Sequence, residues 1–471
     1  MIRTQQTRVP WLWVAVILLP IFGIRLVDFI AQTLLAFTLD KHTNDPSVIT
    51  FLTSVNVLFN VLVAPFIAWK SDRIWTRYGR RKPFVIIGWI GIAVLIAFIP
   101  DAPTLWLVGL LIIGYNFFQD LNTSVYQPLI MEVVPPPQRG RMQAARQGII
   151  LVCAMYFQWM IIRNFDKVTR FDLSFLGLGK VLINGEQVAY WVISAVVLCC
   201  VVMIGFSVNE TKPKSIPNLN ERFSPKAFIS SVFMSKEQLK VYLLSFALMA
   251  MGMGIGSLSA LLVTKQFGYS KEQMGEWYFW LKIFQFFLVL PFAGYLADRF
   301  DRIKMFLFGI SMSTIYPLAY WAYIHFVAPN NIPSPYAIIG FTGFDIIVDF
   351  TVQIAMIPLI FDYIPRNRMG TMAAGMSICD GLAKFILMNG VGLFVKYYSM
   401  IFCPPGIIDY SSGYLFVFLV GCVGTACGFY FLHEKNAGRV IPYGKLEHEE
   451  LVKQEALKKA AAPEEVETPA S

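Results

Sequence analysis

The stretch Pro65–Pro83, PFIAWKSDRIWTRYGRRKP, joins two long apolar runs and gathers Lys70, Arg73, Arg77, Arg80, Arg81 and Lys82 around a single acid, Asp72. A loop so rich in cations resists passage through a bilayer and belongs on the cytoplasmic side. Gly79 suits a tight turn, because it adopts backbone angles closed to other residues, and Pro83 suits the first turn of the next helix. A shorter version, PFAGYLADRFDRIK, occupies Pro291–Lys304. Pro65 to Asp72 and Pro291 to Asp298 are both seven residues apart, and an Arg follows each Asp. An element recurring half a chain later points to a duplicated bundle.

A second match runs in the same order. DLNTSVYQPLIMEVVPPPQRGRM (120–142) aligns with DFTVQIAMIPLIFDYIPRNRMGTM (349–372), pairing Asp120 with Asp349, Pro128 with Pro358, Glu132 with Asp362 and Gly140 with Gly370. Composition agrees with a membrane protein. The 471 residues are 56% hydrophobic and only 15% charged, with mean hydropathy +0.58, whereas a soluble protein carries about 25% charged residues. The apolar residues come in runs of about 20, which marks spans rather than amphipathic stripes. The net charge of +9 sits in alternate loops, as topology signals do, so a nucleic-acid partner is excluded.

The sequence therefore predicts an all-α integral membrane protein of twelve transmembrane helices in two six-helix halves. The spans are 11–38, 48–69, 83–100, 104–132, 143–163 and 187–207, then 239–265, 274–297, 304–326, 335–361, 371–397 and 412–432. Residues 1–207 form the first half, 208–238 a polar, basic cytoplasmic linker, 239–432 the second half and 433–471 a tail whose end reads as disordered. Loops after even-numbered spans hold most cations, which places both termini in the cytoplasm. The N-terminal apolar run is too long for a cleaved signal and reads as a retained helix. The longest outer loop, 164–186, has the Gly and Asn turn signals of a small hairpin.

Ionisable groups inside the spans are the functional candidates, since each costs at least ~2.5–3.5 kcal/mol to insert. Arg25 and Asp28 share a face at i,i+3, Asp345 and Asp349 at i,i+4, and Asp380 and Lys384 likewise, which predicts local pairing for the last. Asp120 stands 12 residues before Glu132, about 18 Å from the helix end at ~1.5 Å per residue. It has no opposite charge at helical spacing, so it needs a partner on another span or a proton. Lys282 projects from the eighth span and could instead snorkel. Uncharged polar residues suited to a hydroxyl-rich ligand are Asn56, Asn60, Gln119, Asn122, Gln127, Gln158, Gln285, Gln353 and Asn389, although such residues often merely bridge helices. At the cytoplasmic surface Asp72, Arg73, Gly79, Arg80, Arg81 and Glu132 read as a salt-bridged gate, with Asp298, Arg299 and Asp362 as its copy. The seven cysteines have no ligand spacing, and no nucleophile–base set, nucleotide loop or metal cluster occurs, so an enzyme is not expected. MGMGIG (251–256) reads as a packing or hinge stretch within the seventh span.

The GRRKP loop, its copy and the twelve spans resemble the major facilitator superfamily over residues 10–432. The fuller pattern SDR…TRYGRRKPF, the fourth-span Asp and VPPPQRGRM resemble its sucrose-transporter and glycoside–pentoside–hexuronide:cation symporter branch. The resemblance implies alternating-access import or exchange of sugars or glycosides driven by a cation, with Asp120 matching the fourth-span acid linked to proton coupling. Where the melibiose-permease pattern has sodium-binding carboxylates, this chain has Asn60 and Ala64, so protons are favoured over sodium. Muropeptide permeases and photosynthetic-complex assembly proteins share the scaffold, which leaves another solute, such as an organic anion, or a non-transporting role as alternatives. The partners implied are a small-molecule solute and the lipid bilayer of a bacterial plasma membrane, with no cofactor and a monomeric chain.

Overall fold

The computed structural model describes residues 2–3, 18–63, 66–67, 70–71, 74–79, 81–133, 139–172, 180–209, 230, 233, 236–251, 254–300, 302–363 and 369–439. Among them the helices group into twelve: α1 (Pro20–Leu39), α2 (Pro46–Leu62), α3 (Lys82–Phe98), α4 (Leu105–Val133), α5 (Arg139–Tyr156) and α6 (Gly185–Ser207), then α7 (Lys236–Met251), α8 (Lys271–Phe284, continued to Leu290–Arg299), α9 (Arg302–Ala322), α10 (Pro335–Asp362), α11 (Met369–Phe402) and α12 (Gly413–Asn436). Six of the helical stretches are individually long and apolar enough to cross a membrane. The expectation of twelve helices in two halves therefore holds.

Local sequence explains several ends. Pro46 opens α2, and the Asp45 carboxylate accepts from the Ser47 amide at 2.9 Å, capping an otherwise unsatisfied first turn. Gly79 has φ +114° and closes a tight turn against Thr76, a conformation in which a side chain would be strained. Lys82 starts α3, and its Nζ donates to the Gly205 carbonyl at 2.5 Å, tying α3 to the last turn of α6. The expected hairpin forms, with Val168–Asp172 antiparallel to Lys180–Asn184. The seventh span differs from a single continuous helix: α7 ends at Met251, Gly254–Ser257 are not helical, Gly256 has φ +59°, and helix resumes at Leu258–Leu261.

Packing divides the molecule. In the first half α3 packs on α4 and α6, and α1 on α5 and α6; in the second, α9 and α7 pack on α12, and α9 on α10. Small residues permit close approach, as where Gly23 backs onto Trp89 and Cys200, and Gly424 onto Ala250. The halves meet along α2–α11 and α5–α8. Gly381 lies against Val57 and Val61, and Gly392 against Thr50 and the Pro46 carbonyl, so larger residues there would force α2 and α11 apart. On the other seam Gly275 backs onto the Gln158 carbonyl, while Trp159 and Phe279 pack at 4.7 Å.

Ion pairs reinforce the seams at the end opposite the cation-rich loops. Lys265–Asp40 and Lys396–Asp45 close at 2.5 Å, Lys271–Asp166 at 2.6 Å, and Glu272 takes Arg163 and Lys167 at 3.3 Å each. Every one of these pairs joins one half to the other. A single exposed pair contributes only ~0.2–1 kcal/mol, but together they latch this end.

Burial alone would raise the Asp45 carboxyl, yet Lys396 and Ser47 hold it below the usual carboxylate range. A depressed acid contributes stability that is complete above its ordinary value and is lost as pH falls through the lowered one. Spin labels on the α1–α2 turn and the end of α11 should therefore keep one short distance from pH 7 to about pH 5, since the ordinary Asp value is ~3.9. Lys265→Gln with Lys396→Gln should add a longer distance at neutral pH. An unchanged distribution in that double variant would contradict a latch.

Candidate functional site

The polar interior begins on α1. Arg25 and Asp28 form an ion pair at 2.9 Å, with side chains 35% and 20% exposed. Gln119 Nε2 of α4 donates to the second Asp28 oxygen at 2.7 Å. Asp28 thus receives one donor on each oxygen, and α1 is bound to α4 through it. The Lys384 charge of α11 also acts on Asp28, and Arg146 of α5 acts on Arg25. Helices from both halves therefore face this group.

Asp120 lies one residue further along α4 and is 1% exposed. It makes no hydrogen bond or ion pair among the described residues, and its Oδ2 is buried without a partner. Gln119 Oε1 and Asn122 Oδ1 are also buried and have no partner among the described residues. Such a concentration is unusual, because buried polar atoms are nearly always satisfied.

The second half carries the opposite pole. Lys282 of α8 donates to Gln285 Oε1 at 2.9 Å, and its charge acts on Asp349 and Asp345 of α10. It is turned inward to these acids rather than snorkelling. Tyr278, Tyr316 and Tyr414 surround Asp345 from α8, α9 and α12.

Other candidates fall elsewhere. Asp380 and Lys384 do not pair: Asp380 Oδ2 accepts from Ser245 Oγ of α7 at 2.5 Å, while Lys384 is exposed and makes no ion pair or hydrogen bond among the described residues. The shared helical face brings them near, but Asp380 turns to α7 and the longer lysine stem extends towards α1. Asn122 is buried, and its backbone and Cβ lie against Gly88 of α3. Asn389 donates to Ser54 Oγ at 3.0 Å and the Phe385 carbonyl at 2.7 Å, stitching α11 to α2. Asn60 is exposed and donates to the Asn56 carbonyl at 3.3 Å. Of the gate residues, Asp72, Arg73 and Arg80 lie outside the described residues, as do the side chains of Glu132, Asp298, Asp362, Gln127 and Gln353. Arg81 is buried, and Arg299 is exposed over the Tyr295 ring at 4.8 Å.

Sequence reading missed Arg146. A cation seven residues into a helix beginning at Arg139 lies about 10 Å from its end at ~1.5 Å per residue, which is the signal that could have found it. The tyrosines around Asp345 were missed because they come from three separate helices.

A family model described as Major Facilitator Superfamily matches residues 17–388. The chain belongs to the Major Facilitator Superfamily, whose transporters sit in a lipid bilayer and carry small-molecule solutes. No curated protein matches the sequence. Solved structures of similar fold include a D-xylose-proton symporter (13% identity, 90% of this chain and 97% of that one covered, TM-score 0.63). The nucleoside transporter NupG is also similar (13%, 90% and 99%, 0.65), as is a bacterial homologue of the lysosomal transporter Spinster in an inward-facing conformation (15%, 90% and 96%, 0.59).

Removing Arg25 leaves Asp28 charged with only Gln119 as a donor, a loss of roughly 1.5–3 kcal/mol for a charge-assisted bond. Arg25→Leu should therefore melt earlier than the Arg25→Leu, Asp28→Leu double variant in a detergent thermal-denaturation assay. Equal melting of the two would mean that the ion pair is not coupled.

Proposed function

We propose that this protein is a secondary transporter that couples the movement of a sugar or glycoside to protons by alternating access. The observation that carries this reading is Asp120, a carboxyl buried within a span with no counter-ion and no hydrogen-bond donor among the described residues. Such a group is tolerated there only when neutral. Loading and release of its proton is then tied to whether the site opens to water.

The substrate class is supported by charge balance. The described spans carry the interior cations Arg25, Arg146, Lys282 and Lys384 and the acids Asp28, Asp120, Asp345, Asp349 and Asp380. Four against five leaves no excess of positive charge to recruit an organic anion, which favours a neutral, hydroxylated solute. Gln119 Oε1, buried without a partner among the described residues, is an acceptor that a sugar hydroxyl could satisfy once the site opens. The likeness of fold to a D-xylose-proton symporter and the branch resemblance of the GRRKP loop support the same class. A scaffold without transport has little use for unpaired buried acids.

In this reading the cation-rich loops and both termini are cytoplasmic in a bacterial plasma membrane, and the latched end faces outward. The structure then corresponds to a state closed to the outside. The Asp72–Arg73–Arg80–Arg81–Glu132 group and its copy at Asp298, Arg299 and Asp362 act as the inner gate. The coupling ion is a proton rather than sodium, because Asn60 is uncharged.

Purified protein in proteoliposomes should accumulate a labelled sugar or glycoside when the exterior is made acidic. Asp120→Asn should abolish accumulation while retaining exchange of labelled for unlabelled solute across equal pH. Accumulation by that variant at the wild-type level would refute the role of Asp120. Accumulation driven only by a sodium gradient would refute proton coupling.

A further inference from the structure

A cavity of about 390 Å³, lined by none of the charged groups of the polar interior, lies between the second segment of α8, the start of α9 and the middle of α10. Among the described residues its walls are Phe292, Leu296, Met305, Phe308, Ile347 and Val348, and the charged one is Lys304. The volume is within the ~300–1,000 Å³ typical of ligand sites, yet the lining offers almost nothing to hydrogen-bond a polar solute. Phe292, Phe300 and Phe308 are more than half exposed around it, so the cavity opens sideways into the hydrocarbon that covers this face.

Its length and charge fit one occupant. From Phe292 to Arg299 the wall follows α8 for about 10 Å at ~1.5 Å per residue, enough for part of an extended acyl chain. Lys304 stands near the start of α9, at the cation-rich end of the molecule, and makes no ion pair or hydrogen bond among the described residues. Arg299, exposed and stacked on Tyr295, stands at the same end. An exposed ammonium at the headgroup end of an apolar slot matches an anionic headgroup joined to an acyl tail.

We propose that this groove binds an anionic phospholipid of the surrounding bilayer, with one acyl chain between α8, α9 and α10 and the phosphate on Lys304. The lipid would bridge the second segment of α8 to α9 on the face remote from the solute pathway.

Native mass spectrometry of the full chain, released from detergent containing equimolar phosphatidylglycerol and phosphatidylcholine with identical acyl chains, tests this. Wild-type protein should retain phosphatidylglycerol about fivefold over phosphatidylcholine, as one basic contact allows. Lys304→Gln should remove the preference with an unchanged melting temperature in lipid-free detergent. Gly309→Leu, which fills the slot, should reduce retention of both lipids. Equal retention of the two lipids by the wild type, or a preference that survives Lys304→Gln, would overturn the proposal.

Discussion

A charge in hydrocarbon must be answered by another group, and this single requirement organises the interior of the protein. Asp28 is answered completely, with Arg25 on one oxygen and Gln119 on the other. Asp380 is answered on one oxygen only, by Ser245, and its Oδ1 stays unpartnered. Asp120 is answered by none of the described residues. The gradation separates a carboxylate that holds α1 to α4 from one whose state is left open to chemistry.

The seams between the halves follow a different logic. Along α2–α11 the contact is made by glycine and small apolar residues, with Asn389 and Ser54 the polar stitch. Such a surface slides without stranding charge in lipid. The ion pairs are placed at one end, where water can solvate their members once they part. An interface of close helix contacts along its length and ion pairs at its rim can rock, because the charged bonds break where water can solvate them.

The fold was readable because its signals are periodic and redundant. Runs of about 20 apolar residues, cations in alternate loops and two ordered internal matches all point to the same twelve helices. The turn at Gly79 was visible because its backbone angle is closed to other residues. The site was less visible. Helical spacing identified Arg25 with Asp28, since that pair is local, but it misassigned Asp380 to Lys384, since a flexible lysine can reach beyond its own turn. Arg146, the tyrosines around Asp345 and the Gln119–Asp28 bond depend on how separate helices face one another. A linear sequence does not encode those rotations in any local pattern.

The interruption of α7 divides the helix mechanically. Below it, α7 is fastened to α12, where Lys240 meets Glu434 at 2.5 Å and Gly424 fits against Ala247 and Ala250. Above it, the short helix from Leu258 leads to Lys265, which grips Asp40 of the other half. A continuous rod would carry any displacement of Lys265 down to the α12 contact. With the rod cut at Gly254–Ser257, the upper piece can pivot about Gly256 as a lever of its own, and the lower piece remains a fixed post.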